Sequence, residues 1–250
     1  MGVEVLVYAP LGSTEAKLRD LANELCLPFS TTPSAKPVVL VSESEGKLGL
    51  RLNDHLASHL VQVDFADPAT KRRLRDAFGQ PLARAIGRQA ATIVDATAGF
   101  GRDAAVLAAL GAVVTMVESH AVLWALLRDG LSRATADPVV AELASRLKLV
   151  HADARVWLRN LAPEQRPEVV YLDPMYPERK KAALAKLEMQ VLQALLSDES
   201  SPQGLLEAAK LAARRRVVVK RPLRAAPIAA GVHHFVATKL VRFDVYETKA

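Results

Sequence analysis

The chain has 250 residues, half of them apolar and 24% charged, which suits one large globular domain with a small appendage. A single cysteine, Cys26, excludes an intramolecular disulfide and a cysteine metal cluster. No apolar run is long enough to span a bilayer, and the start MGVEVLVYAP lacks the basic region of a signal peptide, so the expected setting is the cytoplasm, with no membrane and no metal. The net charge of +6 is unevenly spread: Ala208 to Phe243 holds nine Lys or Arg and no acid, leaving 24 basic against 27 acidic residues elsewhere. Further basic clusters lie at Lys71, Arg72, Arg73 and Arg75, continuing to Arg84 and Arg88, and at Arg179, Lys180, Lys181 and Lys186. Such concentration is the footprint of a polyanion partner, with a merely solvated basic surface as the alternative.

In chain order, VEVLVYA reads as a strand and Thr14 to Leu25 as a helix, with Leu18, Leu21, Ala22 and Leu25 on one face and Ser13 or Thr14 as N-cap. VVLVSES and KLGLRLN flank Glu45-Gly46 as a hairpin, and VQVDF is a further short strand. These make a small α/β appendage over residues 1–66. Residues 69–87 read as one basic amphipathic helix opening the main domain, residues 67–250. From residue 91, strands alternate with helices: ATIVDA, DAAVLAAL, VVTMVES, HAVLWALLRDGLSRA, a short helix over 138–146, LKLVHAD, VWLRNLA, PEVVYLDP, helices over 182–196 and 204–213, RRVVVKRP, and an antiparallel tail. That alternation implies βαβ units and a mostly parallel sheet.

Two stretches carry chemistry. In Val94-Asp95-Ala96-Thr97-Ala98-Gly99-Phe100-Gly101-Arg102-Asp103 a strand enters a glycine turn and a helix leaves it. Glycines allow the tight turn and close approach of a ligand, and the helix start offers unpaired N–H groups. Asp95, Gly99 and Gly101 are the cofactor candidates of this turn. Glu118 ends the next strand, where it can accept from ribose hydroxyls, and Asp153 ends the third, near an adenine edge. The turn alone also fits the degenerate dinucleotide pattern, so an NAD-dependent oxidoreductase stays open.

The fourth strand runs into Asp173-Pro174-Met175-Tyr176-Pro177, which resembles the Asp/Asn-Pro-Pro-Tyr/Phe signature of methyltransferases acting on exocyclic base nitrogens. Such an amine is a poor nucleophile because its lone pair is delocalised into the ring. Two acceptors aimed at its hydrogens favour a pyramidal nitrogen. Asp173 would supply a carboxylate oxygen, Pro174 its carbonyl, and Tyr176 a stacking face for the extruded base. Met175 stands where the second proline is commonest, which loosens the turn without removing either acceptor.

With both sites placed, the chain resembles the RsmJ family, which methylates N2 of a guanosine in 16S ribosomal RNA. The resemblance rests on VDF (63–65), VDATAGFGRDAAVLA (94–108), LLRDGLSRA (126–134), VVYLDPMYP (169–177), KLEM (186–189), VVVKRP (217–222) and RFDVY (242–246). It implies a class I methyltransferase fold, a Rossmann-like, mostly parallel seven-stranded sheet. It further implies S-adenosylmethionine at the glycine turn, with S-adenosylhomocysteine as product. Arg102 and Asp103 would lie at its methionine end, Glu118 and Ser119 at the ribose, Asp153 and Ala154 near the adenine, and Asp173 at the transferred methyl. The family often has a small hydroxyl residue where this chain has Asp153, and another residue at Ser119. The implied partner is 16S ribosomal RNA or the small ribosomal subunit, met by Arg72, Arg73, Arg179, Lys180, Lys181, Lys220 and Arg221. Adenine or DNA methylation, and an RNA-binding protein with a relic cofactor fold, stay open, as does the oligomeric state.

Overall fold

The computed structural model describes residues 4–10, 14–32, 34, 38–52, 60–87, 89–174, 195 and 201–248. The helix expected over 182–196, Tyr176, and the basic residues Arg179, Lys180, Lys181 and Lys186 lie outside these. Of the described residues, those within Met1–Val63 and His120–Gly130, with Leu195, form one compact unit, and those within Asp64–Ser119, Leu131–Met175 and Ser200–Ala250 form the other. Among the described residues no helix is long and apolar enough to cross a membrane.

The first unit is built on a five-stranded sheet. Its strands are β1 (Glu4–Tyr8), β2 (Phe29–Ser30), β3 (Val38–Ser44), β4 (Lys47–Leu52) and β5 (Val61–Gln62), in the order β2-β1-β3-β4-β5. β1 pairs parallel with β2 and β3, and the remaining pairs are antiparallel. Helix α1 (Glu15–Glu24) buries Leu18, Leu21 and Ala22, the spacing of one helical face. Ser44 pairs with Lys47 across the hairpin, and Glu45 and Gly46 both take positive φ, 53° and 74°. Two left-handed residues match the twist of the flanking strands, which is why a two-residue turn closes this pair.

The second unit opens differently from expectation. Residues 69–87 are not one helix but three pieces: α2 (Pro68–Arg75), a 3-10 turn (Ala77–Gly79) and α3 (Pro81–Ile86). Pro81 has no N–H to continue a helix and drives Gln80 out of the helical region, to φ −72° and ψ 146°. Asp67 caps α2, accepting from Ala69 N at 2.8 Å and Thr70 N at 3.1 Å.

A seven-stranded sheet follows: β6 (Thr92–Asp95), β7 (Val113–Glu118), β8 (Leu147–His151), β9 (Val169–Leu172), β10 (Arg216–Pro222), β11 (His234–Ala237) and β12 (Val241–Glu247). Its order is β11-β12-β10-β9-β6-β7-β8. The five strands from β10 to β8 run parallel, and β12 is antiparallel to both β10 and β11. In the chain these strands are joined through α4 (Arg102–Ala109), α6 (Ala141–Ser145), α7 (Ala154–Arg159) and α8 (Pro202–Ala212), and through α5 (Ala121–Ala136), which belongs to the first unit as far as Gly130. All four residues of β9 are fully buried, as a strand in a parallel sheet covered on both faces must be. Strand order reverses at β6, whose neighbours are β7 on one side and β9 on the other. The carboxyl ends of strands at such a reversal are the place where open α/β sheets hold ligands. Register brings Asp95, Glu118 and the residues after Leu172 and Val219 to that one edge.

Candidate active site

The glycine turn leaves β6 at Asp95, which is 1% exposed. Its Oδ1 accepts from Thr97 N at 3.1 Å. Burial, reinforced by the neighbouring carboxylates of Asp103, Asp173 and Glu118, pushes the Asp95 carboxyl up to about 8. Gly99 and Gly101 take φ of 54° and 70°, conformations that L side chains rarely adopt. Gly99 N donates to Glu118 Oε2 at 2.9 Å, so the buried Glu118 fixes the turn from the end of β7. Gly101 is the N-cap of α4, and no side chain caps that helix start.

The Asp-Pro turn leaves β9 beside it. Asp173 N donates to Thr97 Oγ1 at 2.7 Å, which ties the two turns together. Lys220, at the end of β10, reaches both acids: Nζ lies 2.7 Å from Asp173 Oδ2 and 3.0 Å from Asp103 Oδ2. The buried Tyr171 hydroxyl donates to Asp103 Oδ2 at 2.6 Å, and Arg73 Nη2 donates to Asp103 Oδ1 at 2.5 Å. Burial alone would raise the Asp103 carboxyl, but the Lys220 ammonium, the Arg73 guanidinium and the Tyr171 hydroxyl outweigh it and hold the group at about 2. Burial lifts the Asp173 carboxyl above its ordinary value, with Lys220 pulling the other way. Burial works against the charge on Lys220, yet its two carboxylate partners raise the ammonium above its ordinary value.

The structure thus brings Asp95, Gly99, Gly101, Asp103, Glu118, Asp173 and Pro174 to one edge of the sheet, with Arg102 and Ser119 exposed beside them. Asp153 has a structural task in addition to any ligand contact. It caps α7 through Arg155 N at 2.8 Å and pairs with the Arg155 guanidinium at 2.6 Å. Ala154 opens that helix. Among the basic residues expected to meet RNA, Arg72 is exposed, whereas Arg73 and Lys220 are engaged on carboxylates. Arg221 is 8% exposed and donates to the Ala226 carbonyl, which turns its guanidinium onto the chain itself. Sequence reading missed Thr97 and Tyr171. Thr97 stands inside the glycine turn, and its only signal is that position. Tyr171 is a polar-tipped aromatic in an otherwise aliphatic strand, and a buried hydroxyl calls for a partner.

The profile of a family described as "Putative SAM-dependent methyltransferase" matches residues 21–248. The chain belongs to this family. It is 45% identical over 234 residues to ribosomal RNA small subunit methyltransferase J of Thioalkalivibrio sulfidiphilus, with 91% of each chain covered. It is 41% identical over 259 residues to the protein of the same name from Chromobacterium violaceum, with 98% of each covered. A crystal structure of a SAM-dependent methyltransferase from Neisseria gonorrhoeae matches with a TM-score of 0.75 at 32% identity, covering 97% of this chain and 95% of that one. The fold is that of the class I SAM-dependent methyltransferases, as the RsmJ resemblance implied, and the methyl donor is S-adenosylmethionine. The oxidoreductase alternative left open by the glycine turn is closed.

The residues present suit that donor. A Cβ built on Gly99 would meet nothing nearer than the Thr97 carbonyl at 3.9 Å, so the space over the turn is open to a ligand. The edge carries the carboxylates of Glu118 and Asp173, acceptors for a molecule that bears ribose hydroxyls and cationic groups, and Asp103 adds negative charge beside them while engaged by Arg73, Tyr171 and Lys220.

Proposed function

We propose that the protein transfers a methyl group from S-adenosylmethionine to the exocyclic N2 amine of a guanosine in 16S ribosomal RNA, in the cytoplasm. The observation that carries this reading is the placement of Asp173 and Pro174, bound through Thr97 to the glycine turn at the cofactor edge of the sheet. The relatives named ribosomal RNA small subunit methyltransferase J support the substrate class.

In this reading the glycine turn and the start of α4 hold the methionine end, with Arg102 and Asp103. Glu118 and Ser119 hold the ribose, and Asp153 and Ala154 border the adenine. Asp95 underpins the turn from below. When bound, the donor supplies a methyl group on an electron-poor sulfonium. The chain's task is to present the nucleophile. Asp173 and the Pro174 carbonyl accept the amine hydrogens, which localises the nitrogen lone pair, and Tyr176 stacks on the base. The base nitrogen would take the methyl group that the bound donor supplies and would release one proton to solvent. Arg72, Arg179, Lys180 and Lys181 contact RNA phosphates.

Two measurements test this. Asp173→Ala is expected to lower turnover on small-subunit RNA by about 10²–10³-fold, the usual size for losing one transition-state contact, while S-adenosylhomocysteine still raises the melting temperature. Wild-type turnover in that variant would remove Asp173 from catalysis. Mass mapping of 16S RNA from cells lacking the protein should show one N2-methylguanosine missing, and an unchanged map sinks the substrate assignment.

A further inference from the structure

The sequence suggests for Lys220 an RNA phosphate or guanine contact at the mouth of the site. In the structure its ammonium lies between two carboxylates. β10 pairs with β9 in a register that sets Val219 opposite Leu172, so Lys220 and Asp173 leave adjacent strands side by side. The Lys220 side chain is 28% exposed and spans two carboxylates, at 2.7 Å and 3.0 Å. A lysine serving RNA would keep its head in solvent and pair with phosphate on demand.

We propose that Lys220 is a positioning residue: held between Asp103 and Asp173, its ammonium fixes the orientation and charge of the Asp173 carboxylate that receives the target amine. This rests on the catalytic role proposed above for Asp173.

The surroundings explain why such a residue is needed. Asp173 faces Asp103 at the start of α4, Asp95 at the end of β6 and the Tyr171 hydroxyl on its own strand. Arg73 of α2 and Lys220 of β10 oppose them, and Glu118 of β7 adds its charge around Asp95. Arg73 donates to Asp103 Oδ1 and Gln80 Oε1, which leaves Lys220 as the cation within hydrogen-bond reach of Asp173 among the described contacts. Without that ammonium, burial and the neighbouring acids favour a protonated Asp173. A carboxylic acid donates from one oxygen and loses its value as an acceptor. By occupying Oδ2, Lys220 also directs the incoming amine hydrogen to Oδ1.

The test uses the full chain, small-subunit RNA and saturating S-adenosylmethionine. Turnover falls as pH drops through the value at which Asp173 takes a proton. In Lys220→Met that acid limb is expected to move up by about one pH unit or more, a tenfold change in proton affinity. The KM for RNA and its salt dependence stay within about twofold. Lys220→Arg, which keeps the charge, should leave the limb within a few tenths of a unit. A raised KM for RNA, a salt slope reduced by about one and an unmoved limb would instead make Lys220 a phosphate contact and overturn the proposal. Asp173→Ala separates the two readings: full turnover there defeats the role of Asp173 itself, whereas lost turnover beside an unmoved limb in Lys220→Met defeats only Lys220. Should Lys220→Met fail to fold, Asp103→Asn decides. Removing the acid that shares Lys220 must shift the limb down, and a limb that stays put sinks the proposal.

Discussion

Asp95 holds a carboxyl group where a charge is costly, 1% exposed beneath the glycine turn. Its folded value of about 8 stands well above the ordinary 3.8. Between those values the folded chain keeps a proton that the unfolded chain has released, so this group's contribution to stability is present below about pH 4 and is lost as pH rises towards 8. The loss approaches an upper limit of about 1.4 kcal/mol per pH unit, before structural relaxation reduces it. Asp95→Asn cannot ionise yet keeps an Oδ1 acceptor for Thr97 N. Its melting temperature, measured without cofactor at pH 5, 6.5 and 8, is therefore expected to exceed that of the wild type by a margin that widens with pH. Titrating groups remote from Asp95 are common to both proteins and cancel in that difference, and the coupled acids Asp103, Asp173 and Glu118 lose only a neighbour. A margin that stays flat or narrows would mean that the folded protein carries Asp95 as an anion.

Helix α5 contains a glycine, Gly130, at a position where helix propensity alone favours alanine by about 1 kcal/mol. A Cβ there would stand 2.5 Å from Val63 Cγ1 and 2.9 Å from the Val63 carbonyl oxygen. The side-chain methyl can turn aside, but the carbonyl belongs to the backbone. Overpacking of this kind costs about 1–3 kcal/mol, so strain offsets or exceeds the propensity gain. Gly130→Ala is expected to melt lower than the wild type by up to about 8 °C, and a higher melting temperature would contradict the close approach. Elements whose signal is local were legible from the sequence. The aliphatic runs of β9 and β10 announced parallel strands, and Glu45-Gly46 announced the hairpin. The stretch 69–87 is broken because Pro81 has no N–H to continue the helix and holds Gln80 extended, a local effect that amphipathic spacing does not register. At the site, both turns were legible, since each is a short run of residues with special backbone needs. The cluster of Asp103, Asp173 and Lys220 was not, because its ion pairs join residues 117 and 47 positions apart. The pairing of β9 with both β10 and β6, the strand that leads to α4, brings them together, so a sequence shows the charges but not their partners.

Charge on the whole molecule has the same ambiguity at larger scale. Of the nine basic residues between Ala208 and Phe243, several are engaged within the fold. Lys220 joins two acids, Arg221 is buried on the Ala226 carbonyl, Arg215 reaches Glu168 at 3.4 Å, and Arg242 holds the buried Asp244 at 2.7 Å. Counting basic residues therefore overstates the charge offered to RNA. Arg224 and Lys239 are exposed near the start and end of the segment joining β10 to β12, a segment without an acid. Each phosphate contact to a single strand contributes about 0.7 to the slope of log affinity against log salt. Replacing Arg224 and Lys239 together with alanine is expected to weaken RNA binding and reduce that slope by about 1.4, with turnover at saturating RNA left near the wild-type value. Lys220→Met, measured beside it, should leave the slope alone. If the double variant kept the wild-type slope, the RNA-facing charge would have to lie outside this segment. If Lys220→Met flattened the slope as well, the division between cations that meet RNA and cations that hold the site would not stand.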